Sequence, residues 1–316
     1  MKVGILGTGF GSYHADIYRK LNNVDSIIIF GRNEEKLNKL EQDLQITVTN
    51  NIDDIIMNKD IDLIDVCLPS ALHKKYVMEA LKNGKHVYCE TPVALTLEDA
   101  IAMKQAADEY GKKVFVDQFI KFEQPYQYIY SLVKQNKYGK LKALHLKRKT
   151  SPLWGDLGLN HITTNFMIHE IDFVTWLLGS PKQVTAAGLN GKAGTSHVDA
   201  LFHFDDKVVE VQCSSMMPGY HPFTVAYEAV FEDATVEYVE NGYQDRSEMS
   251  LKLLTNHGQE EVKVENRDCY AEAIKHVLEC CEKDIPTSLS IDDAIPSLEI
   301  AIEIKEMLVS TNTHLL

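Results

Sequence analysis

The chain has 316 residues, 45% of them apolar, and a formal net charge of -14 from 46 acidic against 32 basic side chains. That length and apolar content predict two domains with a sizeable core. The negative balance argues against a nucleic-acid or anionic-membrane partner, which needs a basic face, and no apolar run approaches the ~20 residues of a membrane span. Glycines break the first apolar run too early for a signal peptide, so the expected location is cytoplasmic. That run, Val3 to Leu6, reads as a buried strand ending in the turn Gly7-Thr8-Gly9-Phe10-Gly11-Ser12, with a helix from Ser12 to Leu21. Glycines at 7 and 9 let the turn close and let a pyrophosphate approach backbone N–H groups at the helix start. The third position of this dinucleotide fingerprint holds Ser12, with Gly11 one place early.

A glycine turn alone is weak, and the elements that follow give it context. Val24 to Phe30 is a β-branched run, Glu34 to Leu44 has helical spacing, and Ile61 to Leu68 is a second apolar run. A helix from about Leu72 to Asn83 and strands at Lys85–Cys89 and Val114–Phe119 complete the alternation. Strands alternating with helices predict a doubly wound parallel sheet of Rossmann type over residues 1–119. An acid after the second strand would hold the adenosine ribose of NAD. Here Gly31 makes room and Arg32 can pair with a 2′-phosphate, so NADP is favoured and NAD is possible. Asn33 can at the same time cap the next helix.

Residues 120–316 read as an α+β domain for substrate binding and oligomerisation. A helix at Tyr126–Gln135, a strand at Leu141–Lys149 and a helix at Thr164–Leu178 precede seven further strands, from Val184–Leu189 to Glu261–Val264. Short turns such as Phe204-Asp205-Asp206-Lys207 predict a large, mostly antiparallel sheet. Helices at Tyr270–Glu282 and Ile291–Leu308 close the chain. With Val208, Val209 and Val211 read as apolar positions on both faces, a homodimer or homotetramer is expected. The six cysteines lack CxxC spacing and read as reduced core thiols, with no metal site.

Two further segments carry a family resemblance. Leu68-Pro69-Ser70-Ala71-Leu72-His73, with Ala80 to Pro92 (ALKNGKHVYCETP), and Ile168-His169-Glu170-Ile171-Asp172, with Trp176 to Gly179, resemble the Gfo/Idh/MocA family of glucose–fructose oxidoreductase and inositol dehydrogenase. The resemblance implies an NAD(P)-dependent oxidoreductase of sugars, polyols or related carbonyl compounds. It places the pyrophosphate on Gly7 to Ser12 and the adenosine ribose at Gly31 to Asn33. It sets Leu68, Pro69, Ser70 and His73 along the nicotinamide ribose, with Glu90, Thr91 and Pro92 beside the nicotinamide. The Thr91-Pro92 bond is expected to be cis. The family lysine before this proline is replaced by Thr91, and its substrate-helix aspartate by Asn165.

His169 is then the one usual ionisable group left, and it is expected to exchange the substrate proton while Thr91 and Asn165 position substrate oxygen. The helix around it is apolar nearly all round, so on pattern alone a satisfied core histidine is the blander reading. Asp172 is expected to orient or pack. Lys121 is the best remaining cation for the site, though a surface lysine is the commoner outcome. Trp154, Asp156, Asn160 and His161 form a candidate substrate-facing loop. Two other readings stay open: a non-catalytic NADP-binding sensor, and a reductase of a conjugated substrate that takes its proton from solvent.

Overall fold

The computed structural model describes residues 1–152, 155–192, 194–265 and 267–312. They fall into two compact units, Met1–Phe119 with Asp268–Ile295, and Ile120–Arg267 with the residues from Pro296 onward. The first unit runs β1 (Lys2–Leu6), α1 (Gly11–Tyr18), β2 (Ser26–Phe30), α2 (Glu34–Leu44), β3 (Thr47–Thr49), α3 (Asp53–Ile56), β4 (Leu63–Val66), α4 (His73–Lys82), β5 (His86–Cys89), α5 (Leu97–Tyr110) and β6 (Val114–Val116). Its strands pair in the order β3-β2-β1-β4-β5-β6, every pair parallel. Val3, Ile5, Leu63, Ile64 and Val66 are fully buried, the near-continuous apolar pattern of strands covered on both faces. Strand order reverses at β1 and β4, so a crevice opens at their carboxyl ends, where doubly wound sheets hold ligands.

The second unit begins with α6 (Gln124–Gln135) and β7 (Leu141–Lys149), followed by a π-helical stretch, Thr163–Met167, that runs into α7 (Ile168–Leu178). Strands β8 (Gln183–Asn190), β9 (Ser196–His203), β10 (Val208–Ser214), β11 (Phe223–Phe231), β12 (Ala234–Gly242), β13 (Ser247–Thr255) and β14 (Gly258–Glu261) follow. They form one sheet with β7, in the order β14-β13-β12-β11-β7-β10-β9-β8. Only β7 and β10 pair in parallel among its described neighbours. Val209, Val211 and Cys213 are fully buried while Val208, on the opposite face, is 45% exposed. One face is core, and strand alternation turns Val208, Glu210 and Gln212 the other way.

The chain closes with α8 (Cys269–Glu282) and α9 (Ile291–Asn312). The expected division at 119/120 as two continuous stretches does not describe the compact units, because α8 and its flanks return to the first. Tyr13 donates to Asp268 at 2.6 Å, Asn23 to Glu282 at 3.0 Å, and Lys113 to the carbonyls of Cys280 and Ile285 at 3.0 Å. The Val116 N–H donates to Leu289 O at 2.8 Å, adding a backbone tie beside β6. No helix among the described residues is long and apolar enough to cross a membrane.

Candidate active site

Gly7 has φ +113°, and a Cβ there would sit 2.5 Å from the Cys67 carbonyl oxygen, so glycine is required on two counts. An ideal Cβ on Gly9 meets nothing within 4 Å, which leaves backbone open to an approaching group. Helix α1 starts with no acidic residue in its first turn and no side-chain cap from Phe10, so its first N–H groups can serve an anion. The close helix–strand approach falls on Gly11 rather than on Ser12. A Cβ on Gly11 would lie 2.8 Å from Ile5 and 3.2 Å from Cys67 Cβ. Ser12 instead donates its hydroxyl to Thr8 O at 2.7 Å. Tyr270 of α8 lies 4.9 Å from the Phe10 ring and 4.4 Å from that of Phe119, a neighbour of the turn that linear sequence hides.

At the end of β2, Gly31 is buried and a Cβ there would press on Thr8 Cγ2 at 2.6 Å. Asn33 caps α2 by accepting from the Lys36 N–H at 2.8 Å. Arg32 is exposed beside it. After β4, Pro69 is exposed and Leu68 and Ser70 are half-buried, but His73 is buried. Its Nε2 lies 2.7 Å from Leu68 O and its Nδ1 3.0 Å from Pro92 O. His73 therefore ties the β4 turn to the β5 turn instead of presenting its ring to a ligand. Burial lowers its pKa, so the neutral ring donates to one of these carbonyls at a time.

The Thr91-Pro92 peptide is cis. Thr91 donates its hydroxyl to Asp117 O at 2.9 Å, so the donor expected to hold substrate is already engaged and only its lone pairs remain. Glu90 is half-buried. Burial, with the Asp117 charge second, pushes its pKa well above the usual carboxylate range. His14, Cys67 and Glu90 bring one candidate ligand atom each within 4.8 Å of one another. Cys67 donates its thiol proton to Asp65 at 3.2 Å, and burial, then Asp65, keeps that thiol well above its usual pKa. Cys67 is thus held as a thiol rather than offering a thiolate.

In the second unit, His169 opens α7 and is half-buried. Burial, then the Arg148 charge, holds its pKa well below the ordinary histidine range, so the ring is neutral at neutral pH. Arg148, on β7, donates Nε to both oxygens of Glu170 at 2.8 Å, with both side chains buried. Lys121 is not a surface lysine. It is 2% exposed, with its Nζ 3.7 Å from the buried Asp172 carboxylate. Asn165 is exposed on the π-helical stretch and its Oδ1 accepts from Thr164 at 3.2 Å. That stretch, a feature frequent at functional sites, carries no sequence signature, and it breaks the plain i, i+4 spacing expected between Asn165 and His169. Asn160 is exposed, and His161 lies 3.7 Å from Asp156 at an exposed position. Trp154 lies outside the described residues.

Residues 1–118 match the family described as the Gfo/Idh/MocA oxidoreductase family, NAD-binding Rossmann fold. The match covers the strands and helices of the first unit up to Gln118. It is 32% identical over 198 residues to a 2,7-anhydro-N-acetylneuraminate hydratase of Escherichia coli, covering 59% of this chain and 52% of that protein. It is 26% identical to a glucose-6-phosphate 3-dehydrogenase of Bacillus subtilis, over 55% of each. The chain thus spans about half the length of the curated relatives it matches. An Agrobacterium radiobacter oxidoreductase, solved with NAD+, L-tartaric acid and magnesium, shares the fold with a TM-score of 0.85 at 16% identity, covering 98% of this chain and 96% of that one.

Proposed function

We propose that this protein is an NADP-dependent oxidoreductase acting on a sugar, polyol or related carbonyl compound, and that it works as a homodimer or homotetramer. The observation that carries the reading is the open glycine turn before an uncapped helix, in a sheet whose strand order reverses beside it. That arrangement fits a pyrophosphate, and Arg32 beside Gly31 fits a 2′-phosphate. The family relatives support the substrate class, because their names include a sialic-acid derivative and a sugar phosphate.

When bound, the nicotinamide supplies hydride transfer. The residues of the chain bind, orient and move the proton. Gly9 and the first turn of α1 would receive the pyrophosphate, and Glu90 would contact the nicotinamide-side ribose. Asn165 would offer its amide N–H groups to substrate oxygen, and Thr91, its hydroxyl proton engaged by Asp117 O, would only accept a hydrogen bond. His169, neutral because of burial and Arg148, accepts the hydroxyl proton as an alcohol is oxidised. The Lys121–Asp172 pair supplies a positive and a negative charge in the unit that carries Asn165, where the resemblance expects an aspartate.

The low pKa of His169 makes its protonated form scarce, which favours the second reading for the reverse direction, in which a carbonyl is reduced with solvent as proton source. The test is turnover of NADP(H) across ketoses, inososes, sugar lactones and conjugated carbonyls. His169→Ala is expected to lose about 10²–10⁴-fold in rate with NADPH affinity retained. Wild-type binding of NADPH with no turnover on any compound would instead support a sensor. Turnover indifferent to His169→Ala would leave the solvent-protonated reductase.

A further inference from the structure

Four elements of the first unit converge on one buried polar cluster. His14 comes from α1, Asp65 from β4, Tyr88 and Glu90 from the end of β5, and Asp117 from just after β6. The His14 side chain is 0% exposed, as is that of Asp65, and Asp117 is 1% exposed. His14 Nδ1 lies 2.9 Å from Asp65 Oδ2, which fixes the ring. Its other nitrogen, Nε2, is aimed at two carboxylates: Glu90 Oε1 at 3.6 Å and Asp117 Oδ2 at 3.8 Å. Nε2, Glu90 Oε1 and Asp117 Oδ2 have no hydrogen-bond partner among the described residues. The second Asp117 oxygen takes the Tyr88 hydroxyl at 2.5 Å.

Three carboxylates around one imidazole in a buried site repel one another unless a positive charge stands among them. His14 is the group placed to supply it. Burial alone would lower its pKa, but Asp65, then Glu90 and Asp117, reverse that and raise it to about 9. Cys67, Phe10 and the tyrosines Tyr13, Tyr88 and Tyr270 also face the ring. A histidine with a purely packing role ends on backbone carbonyls at both nitrogens, as His73 does. His14 instead spends its second nitrogen on Glu90, whose side chain is 21% exposed and so can reach a ligand. The 3.6 Å separation is an ionic contact longer than a hydrogen bond.

We propose that His14 is the positioning residue for Glu90, holding its carboxylate through Nε2 in the orientation that contacts the nicotinamide-side ribose. This rests on the reading of Glu90 as a ribose contact. The experiment compares calorimetric binding of NADPH and NADH with binding of 2′,5′-ADP and AMP, the adenosine halves that lack this ribose. Wild type, His14→Leu, His14→Gln, Glu90→Gln and the His14→Leu/Glu90→Gln pair are measured.

His14→Leu is expected to weaken the dinucleotide about 10- to 100-fold, within the range of coupling between residues in contact, with the adenosine halves unaffected. His14→Gln, able to donate to Glu90, should restore part of the loss and serves alone if the leucine variant does not fold. In the Glu90→Gln background His14→Leu should do little more, because the two residues act as one unit. Equal weakening of dinucleotide and adenosine half, or additive losses in the double variant, would overturn the proposal. Wild type binding neither dinucleotide would overturn the cofactor reading and this proposal with it.

Discussion

At position 31 a single missing side chain sets an expectation for the cofactor. A carboxylate there would hold both ribose hydroxyls and repel a 2′-phosphate, whereas Gly31 leaves Arg32 exposed at the end of β2. NADPH should bind tighter than NADH, and Arg32→Ala should remove about 1–3 kcal/mol from NADPH binding alone. Fluorescence titration of both cofactors checks this, and a preference for NADH that persists in the variant would reject it. His14 sets a second expectation, for stability against pH. Its folded pKa of about 9 lies above its ordinary value, so the stability it contributes is full below about pH 6.5 and is lost as pH rises through 9. Asp117, raised to about 6 chiefly by burial, acts in the same sense at lower pH, its contribution fading as pH rises through 6. The thermal midpoint of the wild type should therefore fall between pH 6.5 and 9, and His14→Leu should lack that fall. A midpoint that rises over this range in the wild type would count against the charged imidazole.

Among the elements, β7 and α7 are joined by the Arg148–Glu170 pair, with two 2.8 Å contacts inside the second unit. Removing one partner leaves the other charge buried, so Glu170→Gln should cost about 3–5 kcal/mol in urea unfolding. Arg148→Met with Glu170→Met should cost much less. Equal losses for single and double variants would mean that packing, not the ion pair, dominates. Neither residue was visible as a pair in the sequence, because strand and helix are separate there. Elements with strong periodic contrast were legible: α2 and β7 occupy their expected residues, and Asn33 caps where a helix start was expected. Helix α5 was not, since its buried stripe is Ala100, Met103, Ala106 and Ala107, too small and too weakly apolar to stand out. Strand β14 lies earlier than Glu261–Val264 because the chain turns tightly between Thr255 and Gly258. Among the candidate residues, the glycine turn, Glu90, the cis Thr91-Pro92 bond and His169 are marked by local motifs. The His14 cluster and the Lys121–Asp172 pair were not, because each is assembled from segments that only the fold brings together.

For the whole molecule, the exposed face of the second unit's sheet bears on assembly. One row of neighbours crosses five strands: Glu210 pairs with His145, His145 with Glu228, Glu228 with Glu237, and Glu237 with Lys252. These residues, together with Lys147 and Gln212, line a shallow depression. The face carries charges of both signs beside the exposed Val208 and Val239, so a covering partner is expected to be recognised by charge as well as by apolar contact. Glu228 directly opposite Glu237 is a like-charge pair that destabilises an isolated sheet, and Lys147 and Lys252 of a second copy can neutralise it. A two-fold axis brings the same face of each copy together, which suits a row holding both signs. Light scattering at micromolar concentration should give at least twice 35.7 kDa. Glu228→Lys with Glu237→Lys should make the face predominantly basic and shift the protein to the single-chain mass, with high salt restoring part of the association by screening. A wild type of single-chain mass, or an oligomer indifferent to the reversal, would show that this face is not where copies meet.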